Sequence, residues 1–270
     1  MKIRIGVGFG TRTELHGPEL GHVVDELERL EFDSLWMSER ITAEAPDPLV
    51  AMSFAAGRTE KLKFGMSVMV LPGRNPVVLA KALATLATMS GGRLLPAFGL
   101  GAVHPLEQQA FGVRREERAK WFDESFEVMR KCWSGQPVVH DGERYQYDGV
   151  YVLPVPKRMD VWLGGYAPSE LKRVGRLADG WLPSFVTPAD CEAGRRVIEE
   201  VAAEHDREIE PDHYGVLIPY SLGGVPDTML QLIATRRPEI DPADIVPTSW
   251  SELESLIRRF VDVGTTKFVI

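Results

Sequence analysis

Short apolar segments alternate with amphipathic helical segments along the whole chain, and this alternation restricts the possible folds more than any other feature. Ile3, Ile5, Val7 and Phe9 alternate with small or charged residues, the period of a half-buried strand over 3–9. Gly17-Pro18 then opens a helix whose Leu20, Val23, Val24, Leu27 and Leu30 recur at helical spacing. Strands are predicted over 34–37, 64–71 and 94–98, with helices over 48–56 and 75–89 between them and a long helix over 116–133 after them. The rhythm breaks over 136–156. There Asp141-Gly142 and Asp148-Gly149, set among Val138, Val139, Tyr145, Tyr147, Tyr151 and Val152, predict hairpin turns outside the main fold. It resumes with strands over 161–163, 180–182, 214–220 and 267–270. Helices over 188–205, 227–235 and 251–262, and one through Leu171 and Leu177, lie between them.

Roughly eight strand–helix units are the number that closes a parallel barrel. The expected class is α/β, a (β/α)8 TIM-type barrel over 1–270 as one domain, with a hairpin-containing insertion. An open doubly wound sheet competes, but Gly6, Gly8 and Gly10 lack the GxGxxG spacing of its first turn. No helix follows the last strand, so the final unit lacks its helix. Apolar surface beside the first and seventh helices should then be exposed or covered by a partner, a shortened chain being the other reading.

The net charge of −8 and the lack of a basic run exclude a nucleic-acid surface, since phosphate recognition needs clustered cations. No stretch approaches the length of a membrane span, and the first residues alternate as a strand does rather than as a leader, so the cytoplasm is expected. Cys132 and Cys191 stand far apart and suggest neither a disulfide nor a metal site.

Barrel chemistry sits at the carboxyl ends of the strands. Lys2, Lys63 and Lys267 all lie at strand beginnings, which argues against a Schiff-base lysine. The six histidines are scattered and give no metal cluster, and no GxSxG elbow occurs. What remains at the strand ends is glycine, aromatic and small polar residues, a lining suited to a planar cofactor.

Six stretches recur in a characteristic order: Trp36-Met37-Ser38-Glu39-Arg40, Gly65-Met66-Ser67-Val68, Arg74-Asn75-Pro76, Ser90-Gly91-Gly92-Arg93 leading to Gly99-Leu100-Gly101, Leu163-Gly164-Gly165-Tyr166, and Ala178-Asp179-Gly180-Trp181. In this the chain resembles the bacterial luciferase-like superfamily over nearly its whole length, and most closely the members that use coenzyme F420. The resemblance implies an oxidoreductase moving a hydride between F420 and a small organic substrate. An FMN-dependent monooxygenase and a non-catalytic flavin-binding barrel are the alternatives.

The resemblance also implies site residues. Ser67 and Val68 match a strand bulge that carries a cis peptide and presses on the coenzyme ring, with Ser38 and Glu39 beside it. Glu39 would orient substrate or relay a proton, unless it pairs with adjacent Arg40; that arginine departs from the Asp-His pair of several deazaflavin enzymes. Gly99 and Gly101 would let backbone approach the coenzyme. Ala102 replaces the glutamate of the sugar-phosphate-oxidising members, which leaves His104 as the nearest alternative acid. Gly164, Gly165 and Tyr166 precede a helix whose free amides suit a phosphate. A homodimer is implied as well.

Overall fold

The computed structural model describes residues 2–270. In chain order its elements begin with β1 (Arg4–Phe9), α1 (Gly17–Arg29), β2 (Ser34–Met37), α2 (Pro48–Ala56), β3 (Lys63–Met66), β4 (Met69–Val70) and α3 (Pro76–Met89). Next come β5 (Leu94–Leu95), β6 (Ala97–Gly99), α4 (Pro105–Phe111), α5 (Arg118–Cys132), and the hairpin strands β7 (Val138–Asp141) and β8 (Gln146–Val150). The remainder is β9 (Trp162–Leu163), α6 (Pro168–Leu177), β10 (Gly180–Trp181), α7 (Pro188–Glu204), β11 (Gly215–Leu217), α8 (Asp227–Arg236), α9 (Trp250–Asp262) and β12 (Lys267–Val269).

Local chemistry explains where these helices begin. Pro48, Pro76, Pro105, Pro168 and Pro188 each occupy the first helical position, where a missing N–H costs nothing. Asn75 Oδ1 accepts from the amides of Val77 and Val78 at 3.0 and 3.1 Å, and Asp47 Oδ1 accepts from Val50 N at 3.0 Å. The hydroxyl of Thr187 and the carboxylate of Asp190 cap α7 reciprocally.

The chain packs as two compact units, one of residues 9–161 and one of the stretch up to Gly8 with 162–270. In the first unit β2, β3 and β5 pair in parallel, as do β4 and β6. The strand expected over 64–71 is split into β3 and β4 by a cis Ser67–Val68 peptide. Trp36, Phe64 and Phe98 are fully buried here. Gly65 is required by this packing, because a Cβ there would lie 2.4 Å from the Trp36 ring. In the second unit β11, β12 and β1 pair in parallel, β9 pairs with β10, and isolated parallel bridges join Trp181 of β10 to Tyr214 and Ser184, beyond β10, to Leu217 of β11. Trp162, Trp181, Phe260 and Phe268 fill its core.

One expectation is corrected. Asp148-Gly149 makes no turn: it lies inside β8, where Gly149, at φ +85°, is the extra residue at the register shift between Val138 and Val139. The one reversal lies between Asp141 and Gln146. Apolar residues expected beside the first and last helical units are exposed at Ile3, just before β1, at Ile5 on β1, at Leu30 after α1, at Leu230 on α8 and at Trp250 on α9. Both cysteines are free and buried, and burial pushes the Cys132 and Cys191 thiols up to about 11 and about 12, so neither is a ready nucleophile.

Candidate functional site

The end of β2 and the break between β3 and β4 are stitched together in the first unit. Ser38 Oγ donates to the carbonyl of Ser67 at 3.1 Å, and Ser67 N donates to Met37 O at 2.9 Å. Ser67 Oγ is buried without a hydrogen-bond partner. A native structure rarely leaves such a hydroxyl unmatched, so it marks a place where a ligand group or water belongs. Val68 turns its side chain onto Gly99: a Cβ at that glycine would lie 2.5 Å from Val68 Cγ2. Gly101, at φ +85°, sits against Val70 and gives its carbonyl to Arg118 Nη1 at 2.6 Å. The glycines thus make room for Val68 and Val70, a demand that composition and spacing did not reveal.

Glu39 is not paired with Arg40. One of its oxygens accepts from Val70 N at 2.7 Å and the other is ion-paired with Arg74, whose Nε donates to Val70 O at 2.8 Å. Glu39 and Arg74 therefore satisfy both backbone groups of Val70. The Glu39 side chain is only 2% exposed, and burial raises its carboxyl above the ordinary value against the opposing pull of Arg74 and the Val70 amide. With both oxygens occupied, Glu39 holds the backbone of Val70 in place. Arg74 was visible in the sequence as a helix-opening motif residue. Its partnership spans 35 residues, and no local pattern reports it.

The segment after His104 forms α4, and His104-Pro105 is the capping signal that could have announced it. The His104 ring makes no cap hydrogen bond, and its Nδ1 is buried without a partner. Three residues on, Glu107 is 3% exposed. It accepts from Thr42 Oγ1 at 2.6 Å, Thr42 N at 2.9 Å and Ile41 N at 3.3 Å. Burial alone would raise this carboxyl, but those donors outweigh it and hold Glu107 below its ordinary value. Arg40 Nε lies 4.0 Å from it.

Gly164, Gly165 and Tyr166 follow β9 in the second unit. Gly165, at φ +91°, gives its carbonyl to Trp181 Nε1 at 2.8 Å. Two amides of the turn just before α6 are engaged locally: Glu170 Oε2 accepts from Tyr166 N and Ala167 N, both at 3.0 Å. The Tyr166 ring lies 4.9 Å from the Arg237 guanidinium, which donates to Asp190 at 3.1 Å and to Phe185 O at 2.8 Å. Arg173 on α6 is buried. The structure brings together Ser38, Glu39, Ser67, Val68 and Gly99, with Gly101 beside Val70. Glu107 attaches the helix of His104 to the residues that follow Arg40.

Ligand atoms of Glu210, Asp212 and His213 lie within 4.8 Å of one another, but Asp212 is ion-paired with Arg4 at 2.6 Å and His213 Nδ1 sits 2.7 Å from Asp179 O. Among the described residues, no helix is long and apolar enough to cross a membrane.

The model of the family described as Luciferase-like monooxygenase matches residues 3–240. An F420-dependent glucose-6-phosphate dehydrogenase of Gordonia bronchialis is 29% identical over 252 residues, spanning 87% of this chain and 73% of its own. A solved F420-dependent secondary alcohol dehydrogenase, in complex with an F420–acetone adduct, superposes with a TM-score of 0.79 at 22% identity, covering 100% of this chain and 93% of the other. A type II Baeyer–Villiger monooxygenase, the oxygenating constituent of 3,6-diketocamphane monooxygenase from Pseudomonas putida in complex with FMN, gives a TM-score of 0.77 at 17% identity, covering 100% and 91%. These likenesses show the expected fold class, an α/β TIM-type barrel.

Proposed function

The chain belongs to the luciferase-like monooxygenase family, and from that premise we propose that it is an oxidoreductase that binds coenzyme F420 and transfers a hydride between it and a small organic substrate. The observation that carries this reading is the cluster of Ser38, Ser67, Val68 and Gly99, which keeps a buried serine hydroxyl without a protein partner. A polar edge of a flat ring system fits that unmet hydroxyl. The names of curated relatives favour F420 over other ring systems. When bound, such a deazaflavin supplies a carbon that accepts or releases a hydride.

The protein's own contribution divides among a few residues. Ser67 offers its hydroxyl to the coenzyme, and Val68, backed by Gly99, gives the surface against which the ring rests. Glu39 and Arg74 hold Val70 and so fix the backbone beside that surface. His104, with an unpartnered ring nitrogen, is the group we assign to proton exchange with the substrate. Ala102 offers no carboxyl, so the sugar-phosphate substrate named for the relatives is not carried over to this chain.

Fluorescence quenching on titration with F420 and, separately, FMN tests the proposal. Saturable F420 binding is expected, weakened by Ser67→Ala. Tight FMN binding with none for F420 would overturn it in favour of the monooxygenase reading, which the FMN-bound neighbour of the same fold supports. Binding of either without turnover on any carbonyl or alcohol panel would favour the non-catalytic barrel.

The reading extends to a cytoplasmic homodimer. Val50 and Phe54 on α2 and Val78 on α3 hold apolar side chains in solvent, at 69%, 40% and 67% exposure. Light scattering should return twice the chain mass. A monomer at micromolar concentration would refute the dimer.

A further inference from the structure

We infer that Arg40 recognises an oxyanion, a carboxylate or a phosphate, carried by the substrate. The inference rests on the reading of the Ser38, Ser67 and Gly99 cluster as the coenzyme site, because Arg40 stands two residues beyond Ser38 at the end of β2.

Arg40 differs from the other partly buried arginines of its unit in how little its guanidinium is used. Arg93 donates to Ser90 O, Thr59 Oγ1, Leu62 O, Ala56 O and Thr59 O, all within 3.0 Å. Arg74 and Arg118 likewise donate to backbone carbonyls. The Arg40 side chain is 37% exposed, and its one polar contact among the described residues is the 4.0 Å approach of its Nε to Glu107 Oε1. That separation is too long for a hydrogen bond, so the five donors of the guanidinium are left to solvent or a ligand.

Glu107 does not neutralise Arg40 locally by hydrogen bonding, because its oxygens are taken up by Thr42 and Ile41. Its effect is to tie down the backbone directly after Arg40 and to hold the cation nearby through a Coulombic contact. A charged fork fixed at its base and open at its tip is the arrangement that receives a planar carboxylate or a phosphate with two parallel hydrogen bonds. The whole-chain charge of −8 strengthens the point. An anionic substrate gains nothing from the overall field of such a protein, so its recognition needs a local cation.

Calorimetric titration of the full chain with succinate, inorganic phosphate and neutral succinamide tests this without turnover. Saturable binding of succinate or phosphate, and none of succinamide, is expected, and the tighter of the two anions identifies the group. Arg40→Gln should weaken that binding at least tenfold, Arg40→Lys should weaken it less, and Arg115→Gln, at an exposed position, should leave it unchanged. Coenzyme affinity and the thermal midpoint, measured on the same Arg40→Gln protein, should stay as in the parent. Absence of anion binding by the parent chain, equal loss in the Arg115→Gln control, or loss of coenzyme affinity with Arg40→Gln would each overturn the assignment. Anion binding that survives in a chain unable to bind F420 would instead refute the coenzyme reading and leave Arg40 as an oxyanion site.

Discussion

Gly99 shows how much one missing side chain decides. Because Val68 Cγ2 already fills the space a Cβ would need, at 2.5 Å, Gly99→Ala must push Val68 or the backbone aside. Overpacking of this kind costs about 1–3 kcal/mol. The variant should lose that much stability in urea unfolding and bind F420 more weakly, whereas Gly91→Ala, with nothing within 4 Å of its Cβ, should show the stability loss of a positive-φ glycine with coenzyme affinity unchanged. An unaltered coenzyme affinity in Gly99→Ala would separate Val68 from the ring-supporting role. The sequence marked Gly99 and Glu39 as site residues, but for backbone access and proton relay. Their packing roles depend on residues about thirty positions away, Val68 for one and Arg74 for the other, so adjacency in the chain could not disclose them.

Elements were legible where their signals are local. The caps and first-turn prolines of α2, α3 and α7 announce these helices, and the β7–β8 hairpin was visible from Asp141-Gly142 and its flanking alternation. What the hairpin does was not visible. Glu124 on α5 accepts from the amides of Arg144 and Tyr145 at 3.0 and 2.9 Å, which holds the hairpin end against that helix. Tyr145 then donates its hydroxyl to Arg74 O at 3.0 Å and accepts from Trp121 Nε1. The excursion therefore braces the arginine that fixes Val70. Tyr145→Phe leaves the Arg74 carbonyl and the Trp121 N–H without that partner, at a cost of about 1–3 kcal/mol. Urea unfolding should show this loss, and coenzyme affinity should fall with it. A fall in stability alone would mean that the hairpin supports the fold and not the site.

At the scale of the whole chain, the carboxyl groups set the response to acid. Glu28, Glu107, Glu124, Asp190 and Asp212 are each held below their ordinary values, because hydrogen-bond donors or arginines outweigh the raising effect of burial. A depressed acid adds stability that is fully present above its unfolded-state value, 4.5 for Glu and 3.8 for Asp, and is lost as pH falls through the folded value. Glu39, shifted the other way, opposes this as one group against five. The urea midpoint should hold between pH 7 and pH 5 and then drop steadily below about 4.5. Glu107→Gln should be less stable than the parent at pH 7 and should converge with it in acid; a pH-independent gap would show that Glu107 contributes by packing alone. By itself, the sequence determined the alternating α/β class, the helix starts and the hairpin, because periodicity, caps and turn chemistry act over a few residues. Only the tertiary structure decided that Glu39 holds Val70 through Arg74 and that Arg40 is left with donors to spare. Each of these depends on which distant groups meet and use up one another's hydrogen bonds, and that is settled when the chain packs.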